Sequence, residues 1–158
     1  MIKRPTWREY FMALAWIIKD RSHDAETKHG AIAVDQDNKI IGTGYNGFPR
    51  YHDDDSLPNA RPEKYLWMIH AEANLIYNMV GREASLKGST IYVTGYPCLE
   101  CVKAMIQCGV KQIFCMNRIS KCLPKDYFDK LHLLTNNMID IIPVEFNFDE
   151  YMAKYHVP

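Results

Sequence analysis

Two short words constrain this chain more than anything else in it: His70-Ala71-Glu72 and, further along, Pro97-Cys98-Leu99-Glu100-Cys101. One imidazole and two thiolates are a ligand set for zinc that leaves the fourth position to water. For these groups to share one ion, the intervening chain must return to where it started. Glu72 is not needed to hold the metal, and a spare carboxylate beside such a site can move a water's proton. The pattern points to hydrolytic chemistry.

Cys98 and Cys101, three apart, share one face of a helical turn. They and His70 fall at expected helix starts, where free amides and the macrodipole favour negative charge and lower thiol pKa values. Pro97, with its fixed φ, suits a sharp entry into the second helix. Other readings compete. A C-x-x-C pair alone also serves redox chemistry. A structural zinc site would want a fourth protein ligand, and His23, His29, His52, His132 and His156 are the free histidines, none beside another cysteine at ligand spacing. A zinc-stabilised interaction module, in which Glu72 is dispensable, is the non-enzymatic alternative. H-x-E followed by P-C-x-x-C is the mark of zinc nucleobase deaminases, and both words start helices here.

The remaining pattern supplies a scaffold. Thr6-Trp7-Arg8-Glu9 reads as a capping box opening a helix to about Asp20, with Trp7, Tyr10, Phe11, Leu14, Ile17 and Ile18 on its apolar face. Strands are expected at Gly30–Val34 and Lys39–Tyr45 around an Asp35–Asn38 turn, then a long surface loop from Asn46 to Glu63. A helix from His70 to about Val80, closed by Gly81, precedes a strand at Thr90–Thr94 and a helix from Cys98 to Cys108, ended by Gly109. A strand at Gln112–Met116, a helix opened by Pro124, a strand at Ile139–Val144 and a short helix from Asp149 complete the chain. A hairpin followed by strand–helix alternation predicts an α/β fold, a three-layer α/β/α sandwich around a mixed five-stranded sheet, as one domain over residues 1–158.

Charge narrows the partners. With 19 basic and 19 acidic residues the formal net charge is zero. A polymer of nucleic acid is thereby disfavoured, whereas a single nucleotide is compatible. The apolar run Phe11–Ile18 is followed by Lys19, Asp20 and Arg21 rather than a cleavage site, and is too short to span a membrane. The expectation is a cytoplasmic protein with no membrane partner, consistent with an odd count of five cysteines.

Longer words go further. Tyr10–Ala13, Arg21–Asp24, Gly42-Thr43-Gly44-Tyr45-Asn46-Gly47-Phe48-Pro49, His70–Asn74, Ile91–Thr94 and Pro97–Met105 resemble the deoxycytidylate (dCMP) deaminase family along most of the chain. The resemblance implies zinc-dependent hydrolysis of dCMP to dUMP and ammonia, feeding thymidylate synthesis, with His70, Cys98 and Cys101 on zinc and Glu72 as general acid and base. It gives Asn46 a sugar hydroxyl and the Ala71 N–H the pyrimidine carbonyl. A turn role for Asn46 before Gly47 is compatible with this. For the 5′-phosphate, Lys28, Arg118 and Lys121 are the candidates. Two departures concern the pocket: Ile119 stands where relatives often place an aromatic residue, and Glu26 where some have an arginine.

The resemblance also implies a homo-oligomer, a hexamer favoured, activated by dCTP and inhibited by dTTP with Mg2+. Gly44, Tyr45, Gly47, Asn74 and Arg82 resemble elements of that effector and subunit interface; Tyr45 and Asn74 are equally readable as packing and hydrogen-bonding positions. Cys108, Cys115 and Cys122 read as incidental thiols. Rival enzymatic readings are a deaminase of free cytidine or deoxycytidine, which needs no phosphate contact, and one acting on a base within nucleic acid, which needs a basic groove.

Overall fold

The computed structural model describes residues 3–156; residues 1, 2, 157 and 158 of the expected domain lie outside the described residues. Five strands form one sheet: β1 (Gly30–Val34), β2 (Ile40–Tyr45), β3 (Thr90–Val93), β4 (Gln112–Met116) and β5 (Asp140–Val144). Their order is β2-β1-β3-β4-β5. β1 pairs antiparallel with β2 and β3, while β4 and β5 run parallel to β3. The expected mixed three-layer sandwich is therefore the observed architecture.

Every residue of β1 is buried, because helices cover both sheet faces. Ala31, Ala33, Ile91, Val93, Ile113 and Cys115 face α2 (Ala71–Asn78), α3 (Leu99–Gln107) and α4 (Tyr127–Thr135). The alternating set Ile32, Val34, Tyr92, Phe114 and Met116 meets α1 (Trp7–Ile18), against which α5 (Phe148–Tyr155) packs.

Three local expectations change. α1 does carry the capping box, but it buries Phe11, Met12, Ala13 and Ala15 while Trp7 and Ile17 stay exposed. The helix lies so close to β1 at Gly30 that an added Cβ would strike the Ala15 carbonyl, and the face it turns to the sheet runs through Phe11, Met12 and Ala15 rather than Trp7 and Ile17. Pro124 does not open α4: its carbonyl accepts the Tyr127 N–H in a preceding turn, and the helix starts at Tyr127. The long loop is not all surface. It runs on to residue 69, includes a 3-10 turn at Glu63–Leu66 and buries Lys64.

That excursion is clasped at its base, where Gly47 and Ile69 exchange backbone hydrogen bonds at 3.1 and 2.8 Å. Gly44 lets α2 lie against β2, since a Cβ there would meet the Ala71 carbonyl and the Leu75 amide. The starts of α2 and α3, the end of β3 and the start of β1 thus converge on one sheet edge, the position at which open α/β sheets receive ligands.

A candidate zinc centre and its substrate cavity

His70 caps the N-terminus of α2 and Cys98 that of α3, both in extended backbone. The Tyr127 hydroxyl donates to the Pro97 carbonyl at 2.7 Å, pinning the entry to α3. His70 Nδ1 lies 3.4 Å from Cys98 Sγ and 3.6 Å from Cys101 Sγ. All three ligand atoms fall within 4.8 Å of one another. Tetrahedral zinc with ordinary Zn–S and Zn–N bonds requires N···S separations of ~3.6 Å, so the donor set fits the ion in type and spacing. Among the described residues no fourth His, Cys, Asp or Glu joins the group.

Electrostatics prepare Cys98 for ligation, while His70 and Cys101 hold protons that a metal must displace. The Cys101 side chain, and with it His70 and the Cys101 backbone N–H, pulls the Cys98 thiol down to about 4 against the opposing effect of burial. Cys101 is pushed the other way, chiefly by Cys98 and by burial. The pair therefore retains one proton, which a dication displaces on binding. Hydrogen bonding to Cys98 raises His70 to about 9. Glu72, 5% exposed, is carried up to about 7 by burial, with partial opposition from His70.

Glu72, His70 and Cys98 border a cavity of about 270 Å³ that is also lined by Asn46, Ala71, His29, Tyr65, Tyr96, Lys64 and Arg61. Ala71 is the first residue of α2, so its N–H has no partner within its own helix. Asn46 is buried and held on three sides. Its Oδ1 accepts the His29 N–H at 2.7 Å, and Nδ2 donates to Asp24 at 3.0 Å and to the Thr27 carbonyl at 2.9 Å. Both amide protons are engaged, which leaves Oδ1 as the atom able to meet a sugar hydroxyl.

An adjoining annex of about 210 Å³ holds Arg118, Lys121 and Ile119, with Thr27, His29, Arg61 and Ser120 shared between the two spaces. Lys28 is exposed and lines neither. Tyr45, Gly47 and Asn74 line a separate cavity of about 220 Å³ together with Arg21, His23, Arg50, His52 and Asp54. Gly44 lies beneath α2, and Arg82 is exposed beyond that helix; neither borders this cavity.

Sequence reasoning missed Asp24, Lys64, Arg61 and Tyr65. Lys64 is 2% exposed and pairs with Asp24 at 2.7 Å and with Glu26 at 3.1 Å. Arg61 donates to the Thr27 hydroxyl at 2.7 Å and to the Tyr65 hydroxyl at 2.6 Å. Ile119 borders only the annex, whereas Tyr65 and Tyr96 supply aromatic surface in the main cavity. The acidic residues Asp24 and Glu26 were the one signal that a cation had to come to them.

A His/Cys/Cys group at two helix starts, with a buried carboxylate two residues beyond the histidine, defines the class of zinc nucleobase deaminases. The model of the cytidine and deoxycytidylate deaminase zinc-binding region matches residues 5–117, and the chain belongs to this family. It is 43% identical over 117 residues to the deoxycytidylate deaminase of Mus musculus, an alignment covering 70% of this chain and 65% of that protein. With the probable deoxycytidylate deaminase of Drosophila melanogaster it shares 36% identity over 164 residues, covering 96% of this chain and 73% of that one. The crystal structure of dCMP deaminase from cyanophage S-TIM5 in apo form superposes with a TM-score of 0.70 at 27% identity, covering 90% of this chain and 100% of that chain. The same enzyme in complex with dCMP and dUMP gives a TM-score of 0.68 at 25% identity, covering 90% and 99%.

Proposed function

We propose that this chain hydrolyses dCMP to dUMP and ammonia, supplying dUMP for thymidylate synthesis. The observation that carries the reading is the buried Glu72 carboxyl beside the His70, Cys98 and Cys101 group at the floor of a nucleotide-sized cavity. Similarity to deoxycytidylate deaminases of Mus musculus and cyanophage S-TIM5, the latter solved with dCMP and dUMP, supports the substrate.

His70, Cys98 and Cys101 would hold a zinc ion, which when bound would lower the pKa of a water molecule toward ~7. Glu72 accepts that water's proton and passes it to the ring nitrogen next to the attacked carbon. The regenerated carboxylate then takes the remaining proton from the newly added hydroxyl, whose oxygen becomes the product carbonyl, and delivers it to the amino group, which leaves as ammonia as the carbon–nitrogen bond breaks. Burial of Glu72 suits this shuttle because both of its protonation states are accessible near neutral pH. The free Ala71 N–H meets the pyrimidine carbonyl, and Asn46 Oδ1 accepts from a sugar hydroxyl. Tyr65 and Tyr96 flank the base, while Arg61, Arg118 and Lys121 in the annex receive the 5′-phosphate.

The separate cavity supports regulation by a nucleoside triphosphate. Arg21 and Arg50 offer positive charge, His23 and His52 ring nitrogens, and Asp54 an oxygen for Mg2+. dCTP as activator and dTTP as inhibitor, a cytoplasmic setting and a homo-oligomer, hexamer favoured, complete the proposal. Exposed Tyr51, Tyr77 and Val80 near that cavity provide the apolar surface for subunit contact. Among the described residues no helix is long and apolar enough to cross a membrane.

The test offers purified protein dCMP, CMP, deoxycytidine and a short cytosine oligonucleotide while ammonia is followed. dCMP should be the best substrate. Preference for deoxycytidine or for the oligonucleotide overturns the proposal.

A further inference from the structure

His29 stands immediately before β1 and belongs to both the main cavity and the annex. Its backbone is fixed by the 2.7 Å hydrogen bond to Asn46, and its ring lies against Gly95, where an added Cβ would come within 2.9 Å of Cε1. None of the chemistry assigned above uses the ring.

The tautomer follows from Thr94. That side chain is fully buried, and its Oγ1 accepts the Gly30 N–H at 3.1 Å. The hydroxyl proton still needs an acceptor, and among the described residues the one within reach is His29 Nδ1, at 3.3 Å. With Nδ1 accepting, the ring proton sits on Nε2. Burial, and after it the Arg118 charge, hold His29 down at about 4, so the ring is neutral at physiological pH. Among the described residues Nε2–H meets no acceptor, and the ring forms part of the wall where cavity and annex join.

We propose that His29 Nε2–H is an uncharged hydrogen-bond donor to a 5′-phosphate oxygen of the bound nucleotide, making His29 a specificity residue for phosphorylated substrate. This rests on the dCMP reading. With the base at Glu72 and the phosphate among the annex cations, the sugar–phosphate link must pass the one imidazole shared by both spaces. A neutral donor adds no further positive charge beside Arg118, yet still reports whether a phosphate is present. With a nucleoside, nothing fills it.

The experiment compares steady-state kinetics on dCMP and deoxycytidine for the zinc-loaded wild type, His29→Val and His29→Gln. His29→Val should raise KM for dCMP roughly tenfold or more with kcat within twofold, the loss expected for one hydrogen bond to a charged acceptor. His29→Gln, which keeps an N–H donor, should recover part of that loss, and kcat/KM for deoxycytidine should be unchanged in both. An unaltered KM for dCMP, or equal losses on the two substrates, overturns the role of His29. A wild type indifferent to the phosphate instead removes the substrate reading, and His29's role with it. Nitrogen-15 NMR of the wild-type imidazole provides a test free of any variant's folding. The Nε2–H tautomer should be seen, its proton shifting with dCMP and not with deoxycytidine; an Nδ1–H tautomer overturns the proposal.

Discussion

Lys64 Nζ lies 2.7 Å from Asp24 Oδ1 and 2.9 Å from Oδ2, with both side chains almost wholly shielded from water. Lysine is rarely this buried unless paired, and here the pair reaches the candidate site through Asn46, whose amide donates to the same carboxylate. Burial alone would raise the Asp24 pKa, yet hydrogen bonds from Lys64 and from the Thr27 and Glu26 amides hold it below its ordinary value. Lys64→Met should cost about 3–5 kcal/mol by stranding that charge, and should loosen Asn46. Adding Asp24→Asn should restore part of the stability. Denaturant titration decides the matter, and a loss under about 1 kcal/mol for the single variant would refute it.

Glu72→Gln separates holding the metal from using it. The variant should bind one zinc per chain and unfold at the wild-type midpoint, with kcat reduced on the order of 10²–10⁴-fold or more. Metal analysis beside single-turnover ammonia release checks both halves. Retained turnover would dismiss Glu72 as the proton carrier.

Cys98→Ser and Cys101→Ser should behave in the opposite way, losing zinc first and activity as a consequence. Because ligation orders the starts of α2 and α3 together, a chelator should lower the wild-type melting temperature and leave either serine variant little changed. Equal responses from all three proteins would argue against these ligands.

His29 predicts a particular pH dependence of stability. Its folded pKa of about 4 lies below the ordinary 6.5, so the unfolded chain takes up the proton first as pH falls. The contribution is intact above about pH 6.5 and declines toward about pH 4, amounting to on the order of 1–2 kcal/mol by pH 5. In His29→Gln the fall in melting temperature between pH 7 and pH 5 should be correspondingly smaller. Parallel curves for the two proteins would contradict the assignment.

Glu9 links both ends of the described chain. It accepts from the Thr6 amide and hydroxyl at 2.8 Å in the α1 capping box, and it also accepts from Lys154 at 2.8 Å and Tyr155 at 3.0 Å on α5. The Lys154 hydrogen bond, foremost, lowers its pKa to about 2. This contribution is present above about pH 4.5 and lost as pH falls toward about 2. Glu9→Gln should cost about 1 kcal/mol at neutral pH, with α5 showing faster amide exchange while the zinc-ligand region stays protected.

The sheet was legible because β1, β3 and β4 are short continuous apolar runs, as strands covered on both faces are, and the metal group because its spacing is chemical rather than contextual. Asn46 was found from its word, but not the direction in which its amide is held: that depends on Asp24 and Thr27, which periodicity cannot place beside it. Lys64, in a stretch of prolines and charges, has the composition of a solvated loop. Only its distance to Asp24 shows otherwise. Trp7 and Ile17 misled for a related reason, since helical period marks an apolar stripe but not which part of it the sheet covers.

The clasp between Gly47 and Ile69 has an evolutionary corollary. Only residues 51–58 stand clear of the scaffold, so insertions or deletions there need not disturb the floor around Glu72, whereas residues 59–68 are tied back to it through Asn59, Arg61 and Lys64. The outer lip can thus be remodelled while the floor beneath it, set by the starts of α2 and α3, stays anchored in the sheet.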